Sequence, residues 1–242
     1  MATYYNPKIV TDGLALFLDA SNVKSYPKSG TAWKDLSGKG NDATLLSQNQ
    51  PTYNSNFGGY FDFDGTNDTV SLPPLSLAGN ELTFSLWNYG IESKNSGIIF
   101  LGNTGDNAGG RILSVHLPYS SNIVYFDKGT TPDDGTSGPG TQYDRINKTA
   151  TNVEYQGWHH WAFTANAVTG SMKIYLDSVL WHSGTGKTKA IHDVTGDTRI
   201  IGSSYSGGFH RAYVSNMQLY KKELSSLEVL QNFNALRSRF GV

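Results

Sequence analysis

Residues 60–72 read YFDFDGTNDTVSL, with Asp62, Asp64, Asn67 and Asp68 crowded around Gly65. Oxygen ligands at that density raise two readings, a calcium loop or a β-hairpin with an acidic turn. A helix–loop–helix calcium site needs oxygen-bearing groups at positions 1, 3 and 5, glycine at 6 and glutamate at 12. Counted from Asp62, Gly65 falls at position 4 and Pro73 at position 12. The spacing is wrong for that loop. Strand alternation fits better: Phe61 and Phe63 face a core, Asp62 and Asp64 face outward, and Gly65 to Asp68 turn the chain.

The same vocabulary extends in both directions. Strand-like runs occur at LALFLD (14–19), TVSL (69–72), ELTFSLWNY (81–89), GIIFLG (97–102), RILSVHL (111–117) and NIVYFD (122–127). They continue at WHHWAFTA (158–165), SMKIYLD (171–177), TRIIG (198–202) and RAYVSNMQLY (211–220). In ELTFSLWNY, Leu82, Phe84, Leu86 and Asn88 share one face, and Thr83, Ser85, Trp87 and Tyr89 the other. Turn sequences such as SGKGND, GNTGDNAGG and VTGD separate the runs. Many short strands with such turns predict an all-β fold, a two-sheet antiparallel jelly-roll sandwich.

Two segments break the rhythm. Residues 128–157 read as one long polar connection rich in Gly, Pro and Thr, the kind of loop that is either mobile or used for binding. At the C-terminus, Ser225 and Glu228 form a capping box, and Leu227, Leu230 and Phe233 recur at helical spacing. The expected organisation is an N-terminal arm (1–12) and a single domain (13–242) ending in a short helix (225–239).

Composition narrows the function classes. The 242 residues contain no cysteine, which excludes disulfides, cysteine-type zinc clusters and thiol nucleophiles. Charged residues are only 16% of the chain, formal net charge is −1, and Lys and Arg are scattered, so no nucleic-acid partner is expected. No apolar run reaches the length of a membrane span, so no membrane partner is expected either. The N-terminus has neither a basic leader nor an apolar core, which predicts no signal peptide.

Several phrases, in order, resemble the laminin-G-like, concanavalin A-like jelly rolls: DGLALFLDA, TAWKDLSGKGNDATL, YFDFDGTNDTVSL, ELTFSLW, GWHHWAFT, KIYLDSVL and VSNMQLYKKELSSLEVLQNFNA. The likeness covers nearly the whole chain. The opening YNPKIVTDGLALFLDASNVKSYPKSGTAWKDLSG and the ending LQNFNALRSRFGV resemble the versions carried by structural proteins of tailed bacteriophages. That resemblance implies a virion protein made in the host cytoplasm, with other capsid or tail proteins as partners and the arm docking onto one of them. A homo-oligomer is compatible with it.

Candidate sites divide by chemistry. His159 and His160 point to opposite faces of one strand, with Trp158, His160 and Ala162 on one side and His159, Trp161 and Phe163 on the other, so packing is favoured over a shared metal. Some glycoside hydrolases share this fold and need two carboxyl groups about 5–5.5 Å apart. Glu81, Glu92, Glu154, Glu223 and Glu228 form no such ladder, and Asp62 and Asp64 run into an exposed turn where ordinary pKa values are expected. No catalytic residue is therefore expected. For calcium, the resemblance implies an Asp-Asn pair, which Asp106 and Asn107 supply, plus a second acidic loop that IGSSYSGGFH does not provide. A structural calcium in some relatives uses an aspartate where Ser215 stands here, which leaves Asp19 as a lone contributor.

Carbohydrate binding needs aromatic platforms flanked by polar groups. Asp106, Asn107, Arg111, Tyr119, Tyr143, Trp181 and Tyr205 are the candidates, with Trp33, Trp87, Trp158 and Trp161 assigned to the core. The expected function is a non-enzymatic phage virion component, a capsid decoration or fibre-type protein, that binds protein and host or environmental polysaccharide without a resident cofactor. The alternatives are a free-standing lectin module and a polysaccharide hydrolase or lyase.

Overall fold

A computed structural model describes residues 8–102, 111–130, 142–195, 198–203 and 208–242. Its strands, in chain order, are β1 (Leu14–Asp19), β2 (Ala32–Trp33), β3 (Ala43–Leu45), β4 (Thr52–Asn54), β5 (Tyr60–Asp64), β6 (Val70–Ser71), β7 (Glu81–Gly90) and β8 (Ile99–Gly102). They continue with β9 (Arg111–Tyr119), β10 (Ile123–Thr130), β11 (Tyr143–Thr149), β12 (Gly157–Asn166), β13 (Ser171–Leu176), β14 (Val179–Gly184), β15 (Thr198–Ile201) and β16 (Arg211–Tyr220). A short helix α1 (Asn152–Tyr155) precedes β12, and α2 (Ser226–Leu236) follows β16.

Two antiparallel sheets result. The first runs β14-β13-β12-β7-β16-β5-β4, with β1 also paired to β16; the second runs β11-β10-β9-β8-β15-β6-β3-β2. Phe61, Phe63, Leu82, Phe84, Leu86, Trp161 and Phe163 of the first meet Leu101, Leu113, Val115, Val124, Phe126 and Ile201 of the second in one core. This is the jelly-roll sandwich. Sharp reversals fit their residues: Asp177 and Ser178 both take positive φ (48° and 69°) between β13 and β14, as a two-residue hairpin requires.

The opening stretch forms its turn by self-satisfaction. Asp64 Oδ1 accepts from the Thr66 N–H at 2.7 Å, Asp68 Oδ2 accepts from the Asp64 N–H at 2.7 Å, and Asp62 pairs with Arg211. Gly65 has φ 72°, and a Cβ there would lie 2.9 Å from both Arg211 Cβ and Lys94 Nζ. Phe61 and Phe63 are fully buried. The carboxylates are not all ordinary, contrary to the sequence expectation. Partial burial tends to raise Asp64, but the N–H groups of Thr66 and Asn67 hold it below its usual value; burial pushes Asp68 up.

Three sequence readings are corrected and one is extended. First, the supposed long connection contains ordered structure: residues 128–130 end β10, and β11 and α1 follow. Its polar composition hid β11, in which Ile146 is the one aliphatic residue of the core. Second, β7, whose alternation set two faces apart, is buried on both. Its polar residues are paired within the fold: Ser85 donates across to Gln218 of the neighbouring β16 at 2.7 Å, and Thr83 to the Lys222 carbonyl at 2.7 Å. Third, α2 starts at the predicted capping box, but its buried face is Val229, Asn232, Phe233 and Leu236, while Leu227 is 75% exposed. Asn232 disguised that face: it accepts from the Val10 N–H at 2.8 Å and donates to Tyr220 Oη at 3.0 Å. Fourth, residues 8–12 of the expected arm are held by this chain itself, with Val10 buried and Tyr220 Oη donating to its carbonyl at 3.1 Å.

Candidate functional site

β9, β10 and β11 place alternate residues on the outer face of the second sheet. In β10, Val124 and Phe126 enter the core, so Tyr125 and Asp127 point the other way. Asp127 is opposite Arg145 in β11 and Ser114 in β9, and Tyr125 is opposite His116. Arg145 clamps Asp127 with both arms of its fork, Nε at 2.6 Å from Oδ1 and Nη2 at 2.7 Å from Oδ2. Arg111 Nη1 reaches the same Oδ2 at 2.7 Å and Tyr143 Oη at 3.3 Å.

Charge and burial are unequal within this group. The Asp127 side chain is 0% exposed, while Arg111 and Arg145 retain 20% and 21%. Burial alone would lower the Arg145 pKa, but the hydrogen bond and charge of Asp127 raise it further. Both guanidinium planes rest on rings: Arg145 lies 4.4 Å from the Tyr125 centroid, and Arg111 lies 4.7 Å from that of Tyr143. Tyr119 stands edge-on to Tyr125 at 5.8 Å, and His116 is 5.1 Å from Tyr119. Tyr119 and Tyr125 are half-buried, leaving ring surface open to a ligand.

A histidine network lies behind the rings. His116 Nδ1 contacts the Ser96 carbonyl at 2.6 Å, and Ser96 Oγ contacts His210 Nδ1 at 3.3 Å. Burial keeps both imidazoles neutral, with the pKa of His210 pushed down to about 3. A neutral buried ring is a hydrogen-bonding strut rather than a charge.

Of the predicted site residues, the fold brings Arg111 and Tyr143 into contact, and Tyr119, at the other end of β9, joins them through Tyr125 and Arg145. Tyr143 is buried as a support for Arg111 and not exposed as a platform. Trp181 is elsewhere: it stacks edge-on against core Trp161 at 5.3 Å and donates to Glu154 at 2.7 Å. It seals the margin between the sheets, with Lys148 Nζ 4.3 Å above the ring. Asp106, Asn107 and Tyr205 lie outside the described residues. Asp19 is committed to another cation, since both its oxygens accept from Arg239 at 2.9 Å. That ion pair occupies the carboxylate proposed for calcium. Among the described residues, no three His, Asp or Glu side chains converge as a metal site would require.

Sequence reasoning missed Asp127, Arg145, Tyr125 and His116. The signal was present as strict alternation in IVYFD and in YDRIN, but each run was read for its apolar half or as a loop.

An antiparallel jelly-roll sandwich bearing an aromatic and charged patch on one sheet defines a lectin-like class of domain. The chain belongs to the concanavalin A-like lectin/glucanases superfamily, whose family profile matches residues 64–230. Among solved structures, it is similar to the botulinum neurotoxin serotype D ligand-binding domain in complex with N-acetylneuraminic acid (TM-score 0.66, 14% identity, covering 93% of this chain and 51% of that one). It is also similar to the binding domain of botulinum neurotoxin DC in complex with SialylT (0.66, 15%, 94% and 52%). A third is the binding domain of paraclostridial mosquitocidal protein 1 (0.65, 14%, 93% and 52%). This chain therefore spans about half the length of those structures, and the likeness is one of fold. No curated protein matches the sequence.

Proposed function

We propose that this protein is a non-catalytic carbohydrate-binding module that serves in a tailed-phage particle, as a capsid decoration or fibre-type component. The observation that carries the binding reading is the half-buried group of Tyr119, Tyr125, Arg111 and Arg145 on the outer face of the second sheet. Sugars present C–H faces that stack on rings and hydroxyls that need directed donors, and this surface supplies both. Family membership supports the reading, as do the sialic-acid and sialyl ligands named for two structures of the same fold. The virion placement is supported by the sequence likeness at both chain ends to phage structural proteins, whose partners would be other capsid or tail proteins.

Two experiments test this. A glycan array, run with and without calcium, is expected to show saturable binding that does not require the ion; a blank array contradicts the lectin reading. Mass spectrometry of purified particles is expected to find the protein, and its presence in infected-cell lysate but not in particles contradicts the virion role. Release of oligosaccharide from a bound polysaccharide would contradict the non-catalytic assignment.

A further inference from the structure

We infer that the cluster on β9, β10 and β11 recognises an acidic sugar, with Arg145 and Arg111 receiving its anionic group and Tyr125 and Tyr119 receiving its ring. This rests on the carbohydrate-binding reading above and adds the charge class of the ligand.

The first support is charge balance. Two guanidinium groups share one carboxylate, so the cluster has a local excess of one positive charge in a chain whose formal net charge is −1. Asp127 is fully buried and presents no acceptor at the surface, whereas the arginines are part-exposed. The next acid along β11, Asp144, turns inward to pair with buried Lys128 at 3.0 Å. The surface therefore offers donors to an incoming anion with no exposed carboxylate of the cluster to repel it.

The second support is donor geometry. Arg145 spends Nε and Nη2 on Asp127, and Arg111 spends Nη1 on Asp127 and Tyr143. Arg145 Nη1 and Arg111 Nη2 make no hydrogen bond among the described residues, and Arg111 Nε is buried without a partner. Arginine forks match planar two-oxygen anions better than lysine ammonium groups do. Because Tyr125 and Tyr143 hold the guanidinium planes in place, little ordering remains to be done when a ligand arrives.

A carboxylated sugar and a sulfated one share this chemistry, and the test separates them. Binding of the full chain is measured to polygalacturonate, its fully methyl-esterified form, dextran sulfate and dextran. The expected result is retention of polygalacturonate, dextran sulfate or both, with at least tenfold weaker binding of the neutral counterpart. Affinity should fall at least tenfold between 50 and 500 mM salt, on the order expected when one or two ion pairs are screened. Arg145→Gln should remove most of the preference for the acid; Arg111→Gln serves if that variant does not fold by its thermal melt. Binding only to dextran sulfate assigns a sulfate, and binding only to polygalacturonate a carboxylate; both support the inference. Equal affinity for acid and neutral forms, or unchanged selectivity in a folded arginine variant, overturns the charge assignment and leaves the carbohydrate reading standing. No binding to any of the four, together with a blank glycan array, overturns both.

Discussion

The two sheets treat their outer faces in opposite ways. The outer face of the first is roofed by the chain's own C-terminus: Phe240 stacks on Trp87 at 4.3 Å and packs tilted against Trp158 at 4.6 Å, and Phe233 stacks on Trp87 at 5.6 Å. Tyr60 and Leu236 complete that second apolar cluster. The outer face of the second carries instead an Arg–Asp–Arg cluster on tyrosines that remain half-buried. One face is stabilised by apolar burial, which needs no partner. The other holds directional donors and open rings, groups whose full interaction is made only with something else.

That contrast gives graded expectations. Phe240→Ala opens the aromatic roof and should cost about 4 kcal/mol, the range for truncating a buried aromatic. Urea unfolding would show it, and glycan binding by the folded fraction should be unchanged. If binding disappears while the fold persists, the faces are not independent. Asp127→Ala is the matching change on the other side. It leaves two arginines facing each other without their shared carboxylate and should cost about 3 kcal/mol. Here binding should fall together with stability, because the guanidinium groups lose their clamp.

Acid acts on both faces, through His210 behind the second sheet's site and through His160 under the roof. His160 lies under the roof, 5.5 Å from Trp87, and burial pushes its pKa down to about 4. An unfolded histidine titrates near 6.5, so the unfolded chain binds the extra proton first as pH falls. Stability is therefore complete above pH 6.5 and is lost as pH drops toward 4, by on the order of 3 kcal/mol from this residue. His159 acts in the opposite sense: burial lowers its pKa, but the hydrogen bond and charge of Asp177 raise it above normal. A His160→Gln variant should reduce the slope of the stability-versus-pH curve between 6.5 and 4, with His210 carrying the remainder; an unchanged slope would assign the acid sensitivity elsewhere. The smallest effect is at the helix start. Ser225→Ala removes the capping box and should lower stability by about 1 kcal/mol, read as a small shift in thermal midpoint.

The sequence showed these two regions with different clarity. Strands such as β1, β5, β7 and β16 were legible because apolar residues at period two survive in a core strand, and the capping box marked α2 directly. The roof was half legible: Trp87 and Trp158 read as core, but the polar Asn232 shifted the helix face away from the leucines that seemed to define it. The candidate site was least legible. Arg111, Tyr119 and Tyr143 could be named from residue type, but their meeting depends on the register of β9 with β10 and of β10 with β11. Asp127 organises the group through contacts with residues 16 and 18 positions away, which no local pattern encodes. Trp181 misled for the converse reason. A tryptophan near a turn looks like a platform until the edge-on contact with Trp161 is known.

The most direct test of this division is amide hydrogen exchange on the intact chain, with and without a saturating acidic oligosaccharide. New protection is expected to concentrate in Arg111–Tyr119, Ile123–Thr130 and Tyr143–Thr149, with Ser226–Leu236 unchanged. Protection that instead appears on the C-terminal helix, and leaves β9, β10 and β11 as they were, would contradict it.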